Sequence, residues 1–226
     1  MKLLAIETST ETGSVALLEN ATLQAEYRIR RKRVQSRKLV PEIKSLLADL
    51  EWDFENLEGI AVSVGPGSFT GVRIGLSVAK GLAFARELPV TSVVSLDALA
   101  LPYAESGLLV CSMIRFRKTD YYLAMFKWDG SRMERVSDYE VLAVEELNDF
   151  LVDGAVLAGD FSEGEIDQLK KFIIRDVSLA TPGHRQLSAF SVGLLGLENF
   201  RRGHVADIYR LEPFYMKDFP LKKARA

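Results

Sequence analysis

Residues 65–75 read Gly-Pro-Gly-Ser-Phe-Thr-Gly-Val-Arg-Ile-Gly, between an apolar run at 59–64 and a helical pattern at about 68–87. Gly65-Pro66-Gly67 is turn chemistry, because proline fixes φ and glycine permits backbone angles that other residues avoid. Ser68 is a natural N-cap. Beyond it, small residues recur in two rows at helical spacing: Gly71, Gly75 and Ala79 on one, Ser77, Gly81 and Ala85 on its neighbour. An interior glycine costs a helix up to about 1 kcal/mol relative to alanine. Three in one helix therefore call for compensation, either an anion at the helix N-terminus or another backbone packed against the rows.

Gly-rich strand-to-helix loops do bind phosphate. This one lacks the Gly-Lys-Ser/Thr ending of a Walker A loop, and its spacing does not match Gly-x-Gly-x-x-Gly. Close helix packing is the stronger reading. Arg73, Lys80 and Arg86 exclude a membrane span for this helix.

The chain has 226 residues, 48% of them apolar, enough for one sizeable domain or two small ones. A net charge of −2 gives no overall attraction to nucleic acid, and the single Cys111 excludes an internal disulfide. The first residues run straight into a strand pattern without a signal-peptide layout. A cytoplasmic protein with no membrane association is expected.

The order of elements repeats. Strands are expected at 3–9, 14–18 and 22–29. A helix over about 36–50 follows, carrying Leu39, Ile43, Leu46, Leu47 and Leu50 on one face, with Ser36 as its cap and Pro41 straining its first turns. Next come a strand at 59–64, the Gly-rich helix, a strand at 90–95 and a short helix at 96–103. The order returns in strands at 108–114, 121–128 and 133–141, the last two joined by Asp129-Gly130. Helices at 144–151, 163–174 and 188–202 alternate with strands at 155–158 and 177–180. Both halves read βββαβαβα, so the fold class is α/β, a duplicated unit in two subdomains. The boundaries follow as 1–105, 106–204 and a C-terminal segment, 205–226, packing back on the first half.

Two such units are the plan of the actin-like, sugar-kinase and Hsp70 ATPase superfamily, in which the cleft between halves holds nucleotide. The matching first hairpin is Glu7-Thr8-Ser9-Thr10, and Gly159-Asp160 matches a second phosphate-loop position. These six residues are candidate nucleotide ligands. The alternative is that the hydroxyls satisfy turn backbone groups and that Gly159-Asp160 is an ordinary strand-end turn.

The segment 65–75 with the following Leu-Ser-Val-Ala-Lys-Gly-Leu-Ala resembles the hallmark of the TsaB family, also called YeaZ. Leu4-Ala5-Ile6-Glu7-Thr8-Ser9, Leu39-Val40-Pro41 and Glu212-Pro213-Phe214-Tyr215 agree with it. The resemblance implies a part in forming N6-threonylcarbamoyladenosine at position 37 of tRNAs that read codons starting with A. It implies a non-catalytic partner of a TsaD-type paralogue, alongside a TsaE-type ATPase, forming a homodimer when alone. Pairing would use the two first-half helices, placing Leu39, Ile43, Phe69, Gly71, Val72, Gly75 and Ala79 at the partner interface. On that reading, leucine at Gly75 should abolish pairing and leave the monomer folded. An actin-like ATPase or kinase using the cleft is the competing class.

No metal site, cofactor or catalytic set is expected. The catalytic paralogue carries two histidines four apart on a helix, whereas His184 and His204 here lie far apart without ligand-spaced carboxylates. Two positions depart from the family pattern: Gln35 stands where a histidine is common, and Arg115 where an aspartate usually opens an Asp-Ala-Arg stretch, with Arg117 as the matching arginine. The second reverses charge at the mouth of the cleft. Seven cations fall within 28–38, and Arg30, Arg31 and Arg33 among them are candidates for tRNA contact, with Lys217, Lys222, Lys223 and Arg225 near the C-terminus.

Overall fold

The computed structural model describes residues 1–30 and 35–216, the side chains of Gln35 and Ser36 excepted. The opening meander is β1 (Lys2–Glu7), β2 (Thr12–Glu19) and β3 (Thr22–Arg30). β1 and β2 are buried along almost their whole length, so both read as apolar runs rather than as alternating strands. β4 (Gly59–Gly65) and β5 (Val90–Val94) extend the sheet in parallel, giving the order β3-β2-β1-β4-β5.

The two faces of β1 meet different layers, as a side-chain period of two requires. Leu4 and Ile6 pack with Leu39, Ile43 and Leu47 of α1 (Gln35–Asp49) and with Val72, Leu76 and Ala79 of α2 (Phe69–Arg86). Leu3 and Ala5 join a cluster with Leu96 and Leu99 of α3 (Ser95–Ala100) and Val192 and Leu197 of α6 (Ala189–Arg201). α1 begins at Gln35, so Ser36 lies within the helix and is not its cap, and Pro41 is accommodated inside it.

The second sheet contains β6 (Leu109–Arg115), β7 (Asp120–Trp128), β8 (Met133–Arg135), β10 (Val156–Ala158) and β11 (Ser178–Leu179) in the order β11-β10-β6-β7-β8, and β9 (Glu140–Ala143) also pairs with β7. The single strand expected over 133–141 is thus two. The ladder breaks where Ser137 Oγ, rather than a backbone carbonyl, accepts from Met125 N. α4 (Leu147–Phe150) and α5 (Glu163–Phe172) complete this half. Val110, Ala124 and Phe126 of the second sheet share the cluster of Leu3 and Ala5, so the halves are joined through one core. α6, late in the sequence, lies on the first sheet: a Cβ on Gly196 would stand 2.4 Å from Ala61 Cβ.

The chain returns to the first half after α6. Ala206 bridges Val90, Phe214 N donates to Val64 O at 2.8 Å, and Lys80 Nζ donates to Leu211 O at 3.1 Å.

The first small-residue row of α2 is filled by the chain itself. A Cβ on Gly71 would lie 2.0 Å from Thr8 O, and one on Gly75 would lie 2.3 Å from Thr8 Oγ1. Ala79 is fully buried. Thr8 Oγ1 donates to Gly71 O at 2.7 Å, and Ser68 N donates to Ser9 O at 2.6 Å. The row receives the end of β1, so the expectation that Gly71, Gly75 and Ala79 form an open partner surface is corrected. Leucine at Gly75 has nowhere to go without moving Thr8. Gly75→Leu is therefore expected to lower the stability of the isolated chain by about 1–3 kcal/mol or more, read as a lower denaturant midpoint. An unchanged midpoint would contradict this packing.

Candidate functional site

A cleft of about 580 Å³ opens between the two halves. One wall comes from the first half: Ser9 and Thr10 in the β1–β2 turn, and Ser68 and Thr70 at the start of α2. The facing wall carries Arg115 at the end of β6, Arg117 and Lys118 in the β6–β7 turn, and Asp160 and Glu165 after β10. The walls are strand ends and the turns that follow them, where an α/β sheet leaves space for a ligand.

Of the six candidate nucleotide ligands, Ser9, Thr10 and Asp160 reach the cleft, whereas Glu7, Thr8 and Gly159 do not line it. Glu7 is fully buried, and its Oε1 accepts from Ser9 Oγ at 2.6 Å and from Ser9 N at 2.5 Å. Ser95 Oγ donates to Ser9 Oγ at 2.8 Å and shares a 2.6 Å hydrogen bond with Ser63 Oγ. This chain of hydroxyls ties β1, β4 and α3 together. Glu7 Oε2 has no partner among the described residues. Burial raises the Glu7 carboxyl above its ordinary value of 4.5, against the hydroxyls of Ser9 and Ser63 and the backbone of Ser9 and Thr10, which pull it down. Thr8 is consumed by Gly71, and Thr10 Oγ1 donates to Thr12 O at 3.0 Å. Reading Glu7 and Thr8 as phosphate ligands is corrected: their polar groups hold the turn. Gly159 is small because a Cβ would lie 2.5 Å from Met113 O.

Asp160 faces the first half. Its Oδ2 accepts from Thr12 Oγ1 at 2.8 Å, and its Oδ1 stands 3.2 Å from Arg30 Nη1. Arg30, a candidate for tRNA contact, is thus an ion-pair partner across the halves, while Arg31, Arg33 and the cations from Lys217 onward lie outside the described residues. Arg115 Nε meets Glu165 Oε1 at 2.7 Å, and Glu165 Oε2 accepts from Ser162 Oγ and N in the capping box of α5. The charge reversal at Arg115 is matched within the cleft by Glu165.

Leu39, Ile43 and Val72 are buried in the first-half core, so their place at a partner interface is corrected as well. Phe69 is 57% exposed. It stacks on Tyr215 with centroids 5.8 Å apart, Arg73 lies 3.7 Å over its ring, and Arg73 Nε donates to Tyr215 Oη at 3.0 Å. The second small-residue row, Ser77, Gly81 and Ala85, is exposed, flanked by Arg73 and by Phe84 at 68% exposure. Among the described residues, nothing lies within 4 Å of a Cβ built on Gly81. Neither the engagement of Arg30 and Thr12 with Asp160 nor the pairing of Arg115 with Glu165 has a local sequence signal, since each joins distant residues.

The family model described as TsaD, tRNA N6-adenosine threonylcarbamoyltransferase, matches residues 29–195. The chain is 31% identical to the tRNA threonylcarbamoyladenosine biosynthesis protein TsaB of Bacillus subtilis, over 96% of this chain and 94% of that protein. The chain belongs to the TsaB family. Its Escherichia coli relative of the same name is 28% identical over 96% and 95% of the two chains. The structure of YeaZ from Pseudomonas aeruginosa superposes with a TM-score of 0.81 at 29% identity, covering 95% of this chain and 99% of that one. An activator of 2-hydroxyisocaproyl-CoA dehydratase from Clostridium difficile, solved with ADPNP, shares the fold at a TM-score of 0.56 and 8% identity, over 90% and 97%. The duplicated actin-like fold is thereby established. No helix among the described residues is long and apolar enough to cross a membrane.

The buried Glu7 gives a pH test of the turn. Above pH 4.5 the unfolded chain releases this proton while the folded chain retains it, so this group's contribution to stability falls as pH rises through the folded value. Glu7→Gln removes that titration. The melting temperature of the variant minus that of the parent chain is expected to rise between about pH 5 and about pH 7.5. A constant or falling difference would refute the burial argument.

Proposed function

We propose that this chain is the non-catalytic partner subunit of the complex that forms N6-threonylcarbamoyladenosine in tRNA. It docks a TsaD-type paralogue through the outward faces of α1 and α2 and thereby supports that subunit's activity. Family membership supports the pathway, because the B. subtilis and E. coli relatives carry its name. The observation that carries the docking surface is the open row Ser77, Gly81 and Ala85. It is exposed and small, and among the described residues no atom requires the glycine at 81. Small residues on an exposed helix let a second helix approach closely, and Phe84 beside them supplies an apolar anchor.

The same surface serves a homodimer when the paralogue is absent, and a TsaE-type ATPase completes the assembly. A contribution to tRNA binding from Arg30 is weakened by its ion pair with Asp160. The ATPase or kinase alternative is disfavoured because the cleft carboxylates Asp160 and Glu165 are engaged by the chain's own groups.

Gly81→Arg places a long charged side chain in open space. It is expected to leave the monomer folded, with its stability unchanged or raised by up to about 1 kcal/mol of helix propensity. Affinity for the TsaD-type paralogue should fall at least about tenfold in titration calorimetry, a loss of about 1.4 kcal/mol. Undiminished affinity in a folded variant would sink this placement of the interface.

A further inference from the structure

We propose that the docking face of α2 is composite: the C-terminal segment supplies Tyr215 to it, and the clasp of Tyr215 with Phe69 and Arg73 receives a carboxylate of the TsaD-type partner. This rests on the docking reading above and adds to it a second contact point, built by residues 142 positions apart.

The clasp is a set of large side chains ordered at the surface. Phe69 is 57% and Tyr215 42% exposed, yet their rings stack, Arg73 lies over the Phe69 ring, and Arg73 Nε donates to Tyr215 Oη. Tyrosine and arginine are the residue types that most often carry binding energy in an interface. Holding them in place in the free chain removes rotamer freedom that association would otherwise have to remove. The backbone that presents Tyr215 is anchored as well. Phe214 N donates to Val64 O, and the Phe214 ring packs at 65° on Tyr139 with centroids 5.5 Å apart. Tyr139 Oη in turn donates to Asp97 Oδ1 at 2.6 Å, so the second half and α3 both brace the segment.

The position of the clasp fits a helix laid along the open row. Phe69 and Phe84 are fifteen residues apart, about 22 Å of helix, with Ser77 and Gly81 between them. A partner helix would thus pass over small residues at its middle, meet an apolar anchor at Phe84 and reach the clasp at the other end. The charge there is open to a partner. Among the described residues no carboxylate pairs with Arg73, and its hydrogen bond to Tyr215 uses Nε alone. The Nη groups of the fork suit a carboxylate, which arginine binds with directed hydrogen bonds.

Titration calorimetry of the full chain with the TsaD-type paralogue tests this, with Gly81→Arg run beside it. Tyr215→Ala should bind at least about tenfold more weakly at an unchanged melting temperature. Affinity of the parent chain should fall as salt rises, because an exposed ion pair is screened. Arg73→Gln should bind at least about threefold more weakly, with a flatter salt dependence. Ile174→Ala, at an 86% exposed position in the second half, is the control and should bind like the parent chain. If Tyr215→Ala binds like the parent while Gly81→Arg does not, the composite face is overturned and docking on the open row stands. Undiminished affinity in both variants overturns the two together. A salt dependence unchanged in Arg73→Gln overturns the carboxylate assignment, and an equal loss in the Ile174 control overturns the placement.

Discussion

The structure turns on the contact between the start of α2 and the end of β1. Ser68 N reaches Ser9 O, Thr8 Oγ1 reaches Gly71 O, and Gly71 and Gly75 leave room for Thr8 that any side chain would take. Each of those hydrogen bonds is worth about 0.5–1.5 kcal/mol. Together with burial of the row they offset the cost of about 1 kcal/mol for each interior glycine. The contact also fixes how α2 is rotated about its axis. With Gly71, Gly75 and Ala79 turned inward, 3.6 residues per turn leave Arg73, Ser77, Gly81 and Phe84 outward, and Ser68 and Thr70 at the mouth of the cleft.

The elements were largely legible because their signals are local. The continuous apolar runs of β1, β2 and β4, the cap at Ser68 and the hairpin at Asp129-Gly130 are each written within about ten residues. The duplicated order of strands and helices followed from those signals alone. What failed was any statement needing the third dimension. The sequence shows two small-residue rows on α2 but not which one faces inward, because that depends on Thr8, some sixty residues earlier. Leu39 and Ile43 on α1 and Val72 on α2 read as apolar helix faces in either case, and such a face serves a core as well as it serves a partner.

The site shows the same division. Glu7, Ser9 and Thr10 were legible as a polar turn, but their use was not. Ser63 and Ser95 complete the network around Glu7 from two other elements. Asp160 was legible as a strand-end residue, and Arg30 as one cation in a run. Their ion pair closes across the halves, and with Thr12 it removes Asp160 from the groups available to a ligand. Arg115 paired with Glu165 follows the same logic, so a reversed charge became an internal pair.

Glycine at 81 differs from glycine at 71 and 75 in what explains it. At 71 and 75 a Cβ would collide with Thr8, so the fold itself demands the small residue. At 81 a Cβ would meet nothing within 4 Å among the described residues, and alanine there would gain up to about 1 kcal/mol of helix propensity. The monomer thus carries an uncompensated cost on its exposed face, next to a phenylalanine that is two-thirds exposed. The proposed partner backbone, laid along Ser77, Gly81 and Ala85, would give that glycine a use and cover Phe84 in the same step. The face of α2 turned away from its own sheet is therefore the surface that the proposed docking would use.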